Sequence, residues 1–186
     1  MKPQKLLFPL VAVVLLVVAG CSNGEKITAQ AAISSAQAAF TPVKAMAEKY
    51  VPDQTAAVEA SINSAQTAYN NGDYAGALTA AKALPGQITD LATAAKAKKD
   101  ELTAQWNDLS SSLPKLMSAV GTKVSQLAAA HKLPAATNDQ YTSAKSLWDA
   151  ATSAFSSGDI PTAVTDGNSV KEKLTALASA LHVKTT

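Results

Sequence analysis

The chain has 186 residues, enough for one domain with a real core or two small ones. Of its 16 basic side chains, Lys2 and Lys5 precede Cys21, and all 14 acidic residues follow it, so the part after Cys21 is formally neutral. Neutrality removes the basic surface that nucleic acid needs, and a sequence without Arg lacks the usual bidentate reader of phosphate and carboxylate.

Lys2 and Lys5 open a segment whose apolar run, Leu6 to Val18, is interrupted only by Pro9. The run is shorter than the about 20 residues a membrane span needs and suits a signal-peptide core. It closes on Val18-Ala19-Gly20-Cys21: an apolar residue, two small residues and the sole cysteine, which excludes an internal disulfide. This order resembles the lipobox of bacterial lipoproteins. The resemblance implies cleavage between Gly20 and Cys21, a diacylglyceryl group on the Cys21 thiol and acylation of the new amine. Two or more acyl chains hold stably, at about 0.8 kcal/mol for each buried CH₂. Ser22 after the cysteine implies, by the same resemblance, an outer-membrane protein facing the periplasm in a two-membrane host. Residues 1–20 are thus expected to be the signal and 21–26 a lipidated tether reaching under about 20 Å. Such a tether would set the folded part against its membrane.

From Ala29 the apolar spacing alternates between four and three through Ile33, Ala36, Phe40, Val43, Ala47 and Tyr50, one stripe on a helix. Pro52 ends it, and Asp53 is expected to cap a second helix carrying Val58, Ile62, Ala65 and Tyr69. Asn70-Asn71-Gly72 breaks the chain, with Asp73 as the next cap. A third stripe runs Leu84, Ile88, Leu91, Ala95, Lys98, Leu102, Gln105, Leu109, with a kink or split expected at Pro85-Gly86. Ser110-Ser111-Ser112 before Leu113-Pro114 reads as the junction of two halves. Leu113, Leu116, Val120, Val124 and Leu127 form the next stripe, ending near Pro134; Tyr141, Ala144, Trp148, Ala151 and Phe155 form another. Ser157-Gly158 breaks that one, and Asp159 is expected to cap a last helix with Pro161 in its first turn. Ile160, Ala163, Gly167, Val170, Leu174, Leu177 and Leu181 complete it. No stretch alternates with period two.

The halves correspond in detail. Ala68-Tyr69-Asn70-Asn71-Gly72-Asp73-Tyr74 and Ala77-Leu78-Thr79 match Ala154-Phe155-Ser156-Ser157-Gly158-Asp159-Ile160 and Ala163-Val164-Thr165, 86 residues on. The expected fold is an all-α antiparallel helical bundle built from a duplicated three-helix unit, 27–111 and 112–186. Each Gly-Asp hairpin resembles the turn of a tetratricopeptide repeat, but that family repeats at about 34 residues, so a bundle fits better than a continuous superhelix.

The chemistry-bearing residues point to no reaction. His131 and His182 lack metal-ligand partners at helix-face spacing and read as helix-end surface residues. Capping accounts for Asp73 and Asp159, and no Ser or Gly pattern suits a nucleophile or a phosphate loop. Lys96, Lys98, Lys99, Asp100 and Glu101 read as a solvated face with mixed ion pairs. Trp148 lies on its stripe and reads as core; Trp106 lies beside its stripe and is the candidate partner contact. Lys184 is followed by two threonines, so a terminal-lysine link to cell wall is not supported. The expectation is a membrane-tethered envelope protein with an interaction or structural role, an envelope protein partner, and no catalytic residue, cofactor or metal. The alternative is a ligand-binding module with an apolar cavity between Ala-rich helices, marked by converging Tyr50, Tyr69 or Tyr141.

Overall fold

The structure, a computed structural model, describes residues 22–183. Cys21, the segment before it and Lys184 lie outside that range. Five helices follow in chain order: α1 (Ser22–Tyr50), α2 (Pro52–Asn70), α3 (Tyr74–Ala129), α4 (Ala135–Ser156) and α5 (Ile160–Ala180). The described residues form an all-α bundle with no strand. Short connections make neighbours antiparallel, so α1, α3 and α5 point one way and α2 and α4 the other.

α3 is the spine. It has 56 residues, which at about 1.5 Å per residue is roughly 84 Å. Its buried residues, Ala77 to Ala95 and then Trp106 to Val124, all fall on one face. The step from Ala95 to Trp106 is eleven residues, about three helical turns, so the stripe resumes on the same side. α1 and α2 pack on its first half around Ile33, Ile62, Leu84, Ile88 and Leu91. α4 and α5 cover the second half around Trp106, Leu113, Val120, Val170 and Leu174.

Several expectations change. The tether is not extended: the helix already includes Ser22 and runs through residue 26. Asp53 does not cap α2; Val51 takes that place with no side-chain bond, and Pro52 supplies the first turn. Asp73 does cap α3, its Oδ1 accepting from Gly76 N at 2.9 Å. Asp159 makes no such bond and turns to Lys49 instead. Pro85 and Pro114 do not end the spine. Both are exposed, as is Pro42 within α1, so each ring sits on the solvent side of its helix and leaves the core stripe intact. Ser110, Ser111 and Ser112 lie inside α3, their hydroxyls donating to the carbonyls of Asn107 and Asp108. The change from one core to the other falls instead between Ala95 and Trp106.

Four chain reversals and ends share one geometry. Asp73 N donates to Ala68 O at 3.0 Å and Gly72 N to Tyr69 O at 3.0 Å, with Gly72 at φ +83°. The same pair of bonds closes α4 at Gly158, φ +82°. It also closes α3 at His131 and α5 at His182, where φ is 54° and 52°. This is the left-handed cap that satisfies the last free carbonyls of a helix.

Candidate functional site

Three regions were candidates for function: the aromatic cluster, the junction between the cores and the grooves between helices. The aromatic cluster comes from the continuity of α3, which places Trp106 on the same face as Leu109 and Leu113. Trp106 is therefore not a surface contact; it is 5% exposed. Its ring stacks on Trp148 at 5.4 Å and on Phe155 at 4.9 Å, with planes within 15° and 14° of parallel. Trp148 and Phe155 are two turns apart on α4, about 10.5 Å along the axis, so the indole of Trp106 slots between them. Gly167 of α5 completes the wall: a Cβ there would stand 2.9 Å from Leu109 Cδ1 and 3.7 Å from Trp106 Cζ3.

The junction is polar at its rim. The C-terminal turn of α1 meets the α4–α5 turn, where Lys49 Nζ donates to Gly158 O at 2.7 Å and lies 3.7 Å from Asp159 Oδ1. Tyr50 packs against both cores. Burial pushes its phenol above the ordinary 10.0, and the Asp159 carboxylate adds to the rise. On the spine beside the junction, Lys96 pairs with Asp100 and Lys98 with Glu101, exposed pairs one turn apart that contribute little. The charge cluster is thus a solvated face with mixed ion pairs.

The three tyrosines named for a ligand cavity do not converge. Tyr69 meets Tyr74 edge-on at 5.3 Å in the first half. Tyr141 lies in the second half, its hydroxyl donating to Met117 O at 3.2 Å in the space left by the missing side chain of Gly121. Two open grooves stand out among the described residues. One, about 410 Å³, lies between α1 and α2 over Phe40 and Ile62, with Lys44 and Glu59 paired across it at 2.5 Å. Glu59, through that hydrogen bond and its charge, raises the pKa of Lys44. The other, about 470 Å³, is bordered by Val124, Leu133, Tyr141 and Asp149. In the first, the Thr41 hydroxyl donates to the carbonyl of Gln37 at 2.8 Å. Among the described residues no three of His, Cys, Asp and Glu form a set that could hold a metal, and no buried side-chain polar atom lacks a hydrogen-bond partner. His131 and His182 serve as helix ends. Sequence spacing gave no sign of the Lys49–Asp159 contact, because the two residues belong to different halves.

No protein family, curated protein or solved structure matches the chain.

Proposed function

We propose that the chain is a lipid-anchored protein of the bacterial cell envelope whose helical rod serves an interaction or structural role, with an envelope protein as its partner. The observation that carries this reading is the ordered N-terminal pattern: two lysines, a short apolar run and Val18-Ala19-Gly20-Cys21. The described fold suits it. α1 begins one residue after Cys21, so cleavage before the cysteine leaves every described core residue in the mature chain. None of the described helices is long and apolar enough to cross a membrane. A ligand-binding role has less support, since the grooves are open and the tyrosines stand apart.

Replacement Cys21→Ser tests the anchor. Wild-type chain is expected in the membrane fraction with the mass of a processed, acylated product. The variant is expected as the uncleaved, unacylated precursor. A variant cleaved and membrane-held like wild type would overturn the proposal.

A further inference from the structure

The helices are laid out along one axis. α1 runs beside the first half of α3 and parallel to it, and α5 runs beside the second half in the same direction. Lys26 Nζ sits 5.8 Å from the centre of the Tyr74 ring, which pins the first turns of α1 to the N-terminal end of the spine. The α3–α4 turn and the end of α5 are at the opposite end, about 80 Å away at the helical rise. The bundle is only about two to three helix diameters across, roughly 20–30 Å.

Resting on the lipid-anchor reading, we infer that the anchored chain stands upright on its membrane, with the first turns of α1 at the headgroups and the α3–α4 turn held about 80 Å from them. Three observations carry this. α1 already includes Ser22, the residue next to the lipid position, and α1 runs alongside the spine and parallel to it. Among the described residues Ile27 is the one large apolar side chain left exposed, at 70%, and it lies five residues after Ser22, about 7.5 Å along the helix. An apolar residue at that depth partitions into the headgroup boundary. The flanks supply no such contact, and a part that is formally neutral after Cys21 gains no net attraction to anionic lipid by lying flat. The short link at the anchor therefore does not keep the whole protein near the lipid; it hands the distance over to the helices.

The test uses the full lipidated chain purified from membranes and placed in vesicles of phosphatidylethanolamine and phosphatidylglycerol. Acylation blocks the only native thiol, so a cysteine introduced by Ala31→Cys or Ala136→Cys takes a single fluorescent donor. Both positions are exposed, one near the anchored end and one at the start of α4. With an energy acceptor on the lipid headgroups, a several-fold loss of donor emission is expected at position 31 and almost none at 136. Comparable loss at both positions overturns the upright rod while leaving the anchor intact. Loss at neither, together with an unmodified Cys21 by intact mass, overturns the anchor itself and the rod's orientation with it.

Discussion

At the level of single residues, both histidines do a backbone's work. A side chain at positive φ costs on the order of 1 kcal/mol where glycine costs nothing. Gly72 and Gly158 meet that demand in the two hairpins, whereas His131 and His182 accept the strain at the ends of α3 and α5. His131→Gly is therefore expected to raise stability by about 1 kcal/mol, and Gly158→Ala to lower it by about the same. Urea unfolding at neutral pH measures both; equal midpoints for wild type and His131→Gly would show that the cap contributes no strain. Tyr50 sets a pH dependence. Its folded pKa lies above the unfolded value, so its contribution is complete below pH 10.0 and is lost as pH climbs through the folded value. Tyrosinate absorbance is expected to show Tyr50 ionising above 10.0. Asp159→Asn should lower that midpoint only in part, because burial is the larger cause.

At the level of helices, the stripes were readable wherever the spacing kept to fours and threes. The stripes of α1, α2, α4 and α5 were all visible, as were the two glycine turns. The spine was not, for two physical reasons. Pro85, Gly86, three serines and Pro114 look like breaks in one dimension, yet both prolines lie on the solvent face, where they cost a backbone bond without displacing a core side chain. The stripe also takes an extra step of four from Leu102 to Trp106, which moves the core position off Gln105 and onto the indole. Reading on in threes and fours from Lys98 therefore left Trp106 outside. Its burial gives a strong expectation. Trp106→Ala removes the ring held between Trp148 and Phe155, for a loss of about 3–5 kcal/mol. Gly167→Val overpacks the same wall against Leu109, for about 1–3 kcal/mol. Thermal unfolding by circular dichroism measures both losses; a Gly167→Val variant as stable as wild type would mean that α5 can step back from the spine freely.

For the molecule as a whole, the question is whether two cores on one spine behave as one folding unit. Between Ala95 and Trp106 no residue of α3 is buried, and apart from Tyr50 and the Lys49 contacts little joins the halves. The coupling must then run largely through the helix itself. Starting a helix afresh is unfavourable by a factor of about 10⁻³, so one half is helped to fold by a spine already formed in the other. Both tryptophans lie in the second core, which makes their fluorescence a private reporter for it, while far-ultraviolet circular dichroism reads both halves. In wild type the two signals are expected to fall together in urea. The double substitution Lys99→Gly and Asp100→Gly touches no core residue and costs about 1 kcal/mol per position in helix propensity. It also loosens the one segment through which folding propagates, so the two unfolding curves should separate. Coincident curves in that variant would place the coupling in the Lys49–Gly158 and Tyr50 contacts instead, and Lys49→Ala would then be the substitution that divides the transition.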